Sequence, residues 1–391
     1  MKTIQNSIFL LLVSCCILNI DAQEKSMNKG LISKTFIKEI KIGDLGISRG
    51  VTVEEAADGS YILTGYTTGK GAGGEDAFLI STNSIGETLW TKMYGGSGKD
   101  NGWAIRQTKD GGFIIVGFSN SFGAGDMDVY LIKTDSKGDS IWTKTFGGTG
   151  DEFGWDIRIT SDNGFIIAAQ TNSSGNGEID AYLIKLDSDG NKIWSKTYGG
   201  AKIDRIFSVL ETEAREYVAA GITYSYHSIG PNDRDGYYIK TDSNGELEWY
   251  KSFGEDGYDV GHSIALNTKG GFMITGYGES YATNGNKDVY VLKINSNGEI
   301  LWTKAYGGME SERGIKGCQT SDGGYIVVGF IEDVWDVYLV KTNSEGEVLW
   351  TRTYGEINKK DIGYTVRETK DNGFIIIGHT ENFDSSVRKF Y

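Results

Sequence analysis

Six tryptophans, Trp90, Trp142, Trp194, Trp249, Trp302 and Trp350, follow one another at spacings of 52, 52, 55, 53 and 48 residues. A fixed period of this size means that one structural unit is repeated, as in a solenoid, a propeller or an array. A second signal runs in phase with the first. "KDGGFIIVG" at 109–117 returns as "SDNGFIIAA", "TKGGFMITG", "SDGGYIVVG" and "KDNGFIIIG". The unit after Trp90 contains four short runs, "WAIRQT", "FIIVGF", "DVYLIK" and "SIWTKTF". All are rich in β-branched and aromatic residues, and none has helical periodicity. Four strands in a unit of this length match one blade of a β-propeller.

The strand patterns agree with this placement. "FIIVG" is apolar at every position, as a strand covered on both faces by neighbouring blades must be. "SIWTKTF" alternates, with Trp142, Lys144 and Phe146 on one side, which suits an outer strand. The Trp then packs between blades. The "DGG" turns and the turns of type "DSKG", "DSDG" and "NSEG" are tight hairpins, with Gly at the positive φ and Asp or Asn bonding the local backbone. "DSDGNK" at 187–192 resembles a calcium loop but lacks the remaining ligand spacing and the closing Glu.

The "DGGF" position occurs at Asp58, Asp110, Asp162, near Arg215, at Lys269, Asp322 and Asp371, which predicts seven blades. The Trp-bearing strand has six copies plus an early one, "KTFIKEIKIG" at 34–43, with Phe36 near the Trp position. The expected fold is therefore all-β, a seven-bladed propeller of four-stranded blades over 34–391. Residues 34–43 supply the outer strand of the last blade, whose third strand is the C-terminal "SSVRKFY". Closure of this kind leaves no unpaired edge.

Units of the form "DGGFIIVG…DVYLIKTDSxGxxxWTKxYGG" resemble the tandem-repeat β-propeller proteins of bacterial cell envelopes, with ring closure like that of WD-repeat propellers. The resemblance covers about 34–391 and implies a fold, not an activity. The "GxxxW" element is also similar to quinoprotein propellers. Those usually have eight blades, and no calcium and quinone site matches here residue by residue.

Composition supports this reading and excludes some functions. The 391 residues include 56 Gly, about twice the usual share, and a single Pro, Pro231. The formal charge of −14 argues against nucleic acid, whose phosphates need a basic surface. The N-terminus places Lys2 before an apolar run from Ile8 to Leu18, with a small residue at Ala22, as in a secretory signal peptide over 1–22. A linker over 23–33 follows. Leu12-Val13-Ser14-Cys15 also resembles a lipobox, which would put a lipid on Cys15 and anchor the protein in a membrane. Cleavage after Ala22 leaves Cys318 alone, so no intramolecular disulfide can form. Cys318 falls on an inner strand and reads as buried and inert. The chain is read as exported, to the periplasm or the exterior, and monomeric, with no transmembrane segment once the signal is removed.

The functional residues are sought on the face carrying the long loops "SNSFGAGDMD" (119–128), "TNSSGNGEID" (171–180) and "TYSYHSIGPNDRD" (223–235). Two rings of carboxylates lie there. One precedes the inner strands (Asp100, Glu152, Asp204, Asp259, Glu312, Asp361) and one the third strands (Asp76, Asp128, Asp180, Asp235, Asp288, Asp336). They cap turns or, where acids come in pairs, hold a cation. Asp126 with Asp128, Glu178 with Asp180, and Asp233 with Asp235 are the candidate Ca²⁺ ligands. Trp103, Trp155, Phe207, His262 and Tyr364 open the inner strands at the expected channel mouth. They serve as packing or as an aromatic platform for a sugar or peptide. The three histidines, His227, His262 and His379, lie on different blades without zinc-site spacing, and no Gly-x-Ser-x-Gly elbow occurs. The expected function is a binding or scaffolding module for a glycan, peptide or protein. The alternative is an enzyme on polysaccharide or peptide that uses carboxylates at the channel mouth, since a glycosidase needs only two.

Overall fold

The computed structural model describes residues 6–14, 32–41, 47–226, 233–268, 270–282 and 286–382. It is a β-propeller, with no helix among these residues. Six blades, over 48–94, 100–146, 152–198, 204–253, 259–306 and 312–354, each consist of four consecutive antiparallel strands. In the second blade these are Asp100–Gln107, Phe113–Ser119, Asp128–Thr134 and Ser140–Phe146. The second and third strands are buried almost throughout, because each blade is sandwiched between two others.

The repeated residues hold this sandwich together. Five of the DSxG-type turns place their Gly, at 138, 190, 245, 298 and 346, over the outer-strand Trp of the preceding blade. A Cβ on Gly190 would come within 2.5 Å of Trp142, and one on Gly245 within 2.8 Å of Trp194. The Tyr that closes the outer strand donates its hydroxyl to the same Gly carbonyl, as Tyr198 does to Gly245 at 2.7 Å and Tyr306 to Gly346 at 2.9 Å. Within the blade, the third-strand Lys reaches the Asp of the first hairpin: Lys133–Asp110, Lys185–Asp162 and Lys341–Asp322, all at 2.8–2.9 Å.

The expectation of seven like blades is corrected at the chain's ends. The remaining strands form a mixed sheet in the order Ile32–Lys41, Asn6–Ser14, Phe374–Asn382, Lys359–Glu368. Residues 34–41 do belong to this sheet. Their neighbour is Asn6–Ser14, which takes the third-strand place expected for "SSVRKFY" and pairs in parallel on both sides. The physical reason is composition. "IFLLLV" at 8–13 is apolar at every position, and the place between two blades needs a strand covered on both faces. Leu10 is buried against Val328, Leu339 and Phe374. The sheet packs between the sixth blade and the first, with Ile375 and Ile377 against Val53 and Leu63 on the other side. Residues 383–391 lie outside the described residues, as do Cys15, Lys269, His227 and the centre of the 223–235 loop.

An aromatic collar over a charged channel as candidate functional site

The channel wall is built from the first strand of every sheet, and each of these strands carries a β-bulge at one position. The register skips Val51, Trp103, Trp155, Phe207, His262, Ile315 and Tyr364. A bulge inserts one residue without a ladder partner and re-aims its side chain. Here it turns that residue and the next towards the axis. All seven bulge residues line one cavity of about 270 Å³, together with Thr52, Ser208, Ser263, Lys316 and Thr365 from the positions that follow.

The five aromatic residues singled out from the sequence are thus gathered in one place, each half-buried. Trp103 meets Trp155 edge-on, with centroids 4.9 Å apart, and Trp155 meets Phe207 at 6.0 Å. Phe207 stacks on His262 at 5.2 Å, and Tyr364 stacks on the buried His379 at 5.5 Å. The Trp155 indole N–H donates to Gln170 at 3.2 Å, which fixes its plane. Burial, and then Arg234 and Arg313, push His262 down to about 4. Burial likewise pushes His379 down to about 3. Both imidazoles are neutral at pH 7 and act as flat rings. Val51 and Ile315 complete the collar; sequence reasoning missed them because they are not aromatic. Hydroxyls below the collar stitch neighbouring strands, with Thr52 donating to the Trp103 carbonyl at 2.7 Å and Thr365 to that of Val51 at 2.9 Å.

The carboxylate rings, all but the half-buried Asp336, are buried and accept hydrogen bonds from the loops of that face. Asp100 accepts from the Gly96 N–H at 2.8 Å and the Ser121 hydroxyl at 2.6 Å, and Glu152 from Gly148 N–H at 2.7 Å. Asp128 accepts from the N–H groups of Ala124 and Gly125, and Asp180 from those of Asn176 and Gly177, at 2.9–3.0 Å. Their sequence partners do not join them: Asp126 and Glu178 are exposed. Asp233 and Asp235 are both buried, and Asp233 accepts from Gly257 N–H at 2.9 Å. Among the described residues, no group of three or more His, Cys, Asp or Glu is placed to hold a metal ion. Burial, followed by the neighbouring Asp235 and Asp233, pushes Asp259 up to about 7, and burial with Asp288 does the same to Glu312.

A third layer lies three residues below the collar and was not foreseen. It contains Glu54, Arg106, Arg158, Leu210, Ala265, Cys318 and Arg367. Cys318 is half-buried beside a second cavity of about 120 Å³, and burial pushes its thiol up.

These features define a class: a β-propeller with an aromatic-lined axial cavity. No family model matches the chain. The regulatory protein FlaEY of Caulobacter vibrioides is 22% identical over 183 residues, 40% of this chain, and the chain spans only 19% of that relative's length. The α-L-arabinofuranosidase Arb93A of Fusarium graminearum is similar at a TM-score of 0.47 and 10% identity, over 78% of this chain and 93% of that one. BamB of Moraxella catarrhalis gives 0.40 and 14%, over 84% and 97%. A variant of the Synechocystis apocarotenoid oxygenase gives 0.47 and 11%, over 85% and 74%. None of these likenesses carries an argument about what this chain binds.

Proposed function

We propose that the protein is a binding module of the bacterial cell envelope and that the aromatic collar is its ligand site, with a glycan end as the first choice of ligand. One observation carries the reading: seven inner strands each spend a bulge on aiming a side chain at one cavity, and five of those side chains are flat rings. Such rings offer large contact area at low entropy cost, to sugars as to peptides. Ser208 meets the Asp156 carboxylate at 3.0 Å in the cavity wall, but, against the opposing effect of burial, the Arg158 and Arg106 guanidinium groups hold that carboxylate well below the ordinary range and leave it a poor base. Among the described residues, His262 makes no hydrogen bond to a hydroxyl or a carboxylate, so the binding reading is preferred to the enzymatic one. Export fits the N-terminal 1–22, and closure of the composite sheet after cleavage at Ala22 is part of the same reading.

A glycan and peptide array, with hits followed by calorimetry and by a reducing-sugar assay, tests this. Binding without turnover is expected. Trp103→Ala and Trp155→Ala should each weaken it about tenfold, or about 1.4 kcal/mol. Binding that ignores both substitutions would remove the collar as the site. Turnover abolished by a single Asp→Asn change on the long-loop face would make the protein an enzyme.

A further inference from the structure

The charged layer under the collar is unbalanced. Asp156 accepts from Arg106 at 2.6 Å and faces Arg158 at 3.4 Å, and the Ser208 hydroxyl donates to it at 3.0 Å. Glu54 takes Arg106 at 3.2 Å and Arg367 at 3.3 Å. Two carboxylates are thus fully engaged by three guanidinium groups. Lys316 is left over: among the described residues, no carboxylate lies within ion-pair distance of its Nζ. It lines both cavities, and Arg158 and Arg367 line the lower one beside it. Four basic side chains against two carboxylates leave an excess of positive charge in the lumen of a chain whose formal charge is −14.

Packing does not require this. At the positions equivalent to Arg106, three other inner strands carry Leu210, Ala265 and Cys318. A half-buried cation without an ion-pair partner is costly in a low-dielectric lumen. Burial accordingly pushes the Lys316 amine down to about 7, with Asp156 opposing and the three arginines adding to the fall. An arriving anion would relieve that cost.

We propose that the lumen beneath the collar is an oxyanion site in which Lys316, Arg158 and Arg367 receive the carboxylate of an acidic sugar whose ring lies on the collar. The sugar part rests on the collar being the ligand site; the anion part stands on the charge layer alone. Geometry favours a terminal uronate over a peptide end, because the rings and the cations lie along one axis, with Lys316 one position and Arg158 and Arg367 three positions below the collar.

The test uses the full chain, inorganic phosphate, trigalacturonate, a neutral galactose trisaccharide, and a short peptide with a free or an amidated C-terminus. Millimolar phosphate should raise the melting temperature of the wild type and leave Lys316→Met unmoved, because a ligand held only by the folded state stabilises it. Trigalacturonate should bind at least about tenfold tighter than the neutral sugar, about 1.4 kcal/mol. That preference should shrink with salt, vanish in Lys316→Met and return in Lys316→Arg. Equal binding of both sugars by wild type and variant would overturn the oxyanion site and leave the collar reading intact. A Lys316-dependent phosphate shift with no sugar bound would keep the anion site and remove the sugar. A peptide that binds only with a free C-terminal carboxylate would replace the uronate. If Lys316→Met fails to fold, the salt dependence of the wild-type preference decides, and a salt-independent preference overturns the site.

Discussion

Asp259 shows how a capping residue is pulled between geometry and charge. Its carboxylate is fully buried and accepts the Ser280 hydroxyl at 2.5 Å, yet Asp235 and Asp233 stand beside it. Its folded value of about 7 lies above the ordinary carboxylate value of about 4. The folded state therefore binds the proton more tightly. The stability this contributes is fully present below about pH 4 and is lost as pH rises through about 7. Relative to Asp259→Asn, the wild type should lose melting temperature steadily over that window; a difference that stays flat with pH would mean that the charge is relieved some other way. His262 works in the opposite sense, since its lowered value contributes stability that is lost as pH falls through about 4. The residue scale was legible in part. Trp103 and its equivalents could be read because they open a recognisable strand. The charged layer could not. In a regular strand Trp103 and Arg106, three apart, face opposite sides. The bulge at Trp103 removes one step of the alternation and turns Arg106 towards its partners on neighbouring inner strands, Glu54 and Asp156. Nothing in "NGWAIRQ" marks the bulge except the Gly before it, and the fourth blade has Ile206 there instead.

At the scale of the element, the repeated Trp and the repeated turn Gly are one contact seen from two blades. Gly190 has φ 74° and leaves no room for a Cβ beneath Trp142. Gly59 has φ 82° in a hairpin turn with nothing within 4 Å of its Cβ position. Both positions carry the backbone cost of a left-handed residue, and only the first adds the clash. Gly190→Ala is expected to cost the 1–3 kcal/mol or so of a strained residue plus displacement of the indole, and Gly59→Ala only the backbone part. Equal losses in chemical denaturation would mean that the Trp–Gly contact does not hold blades together. This contact was readable from sequence because both partners recur in phase, so that a spacing constant to within a few residues stands in for a distance.

For the whole molecule, the question is how the ring would be held if residues 1–22 were cleaved as a leader. Cleavage after Ala22 would remove Asn6–Ser14 from between Phe374–Asn382 and Ile32–Lys41, and with it the buried Leu10. Exposing each such side chain costs roughly 1.5–3 kcal/mol, against a total stability of about 5–15 kcal/mol. A chain cleaved after Ala22 would therefore need a replacement strand. Residues 384–390 have the right pattern: Asp384 and Lys389 are five apart, like Asp128 and Lys133, Asp180 and Lys185, and Asp336 and Lys341. In those blades the Lys pairs with the hairpin Asp. Asp371 occupies that hairpin place here and accepts from Thr369 and from the Gly373 N–H, as Asp162 does from Thr160 and Gly164. The hypothesis is that 384–390 completes the composite sheet after cleavage. Truncation after Asn382 should then strongly destabilise a chain that starts at Gln23 but barely affect one that starts at Met1, where the leader strand fills the place. Removing 23–43 should also be severe, since Ile40 packs against Val53, Leu63 and Ile80, whereas removing 23–30 should be nearly silent. Thermal melts of the chains starting at Met1 and at Gln23, each with and without the C-terminal truncation, decide the matter. If the C-terminal truncation costs the same with and without the leader, the two segments do not compete for one place.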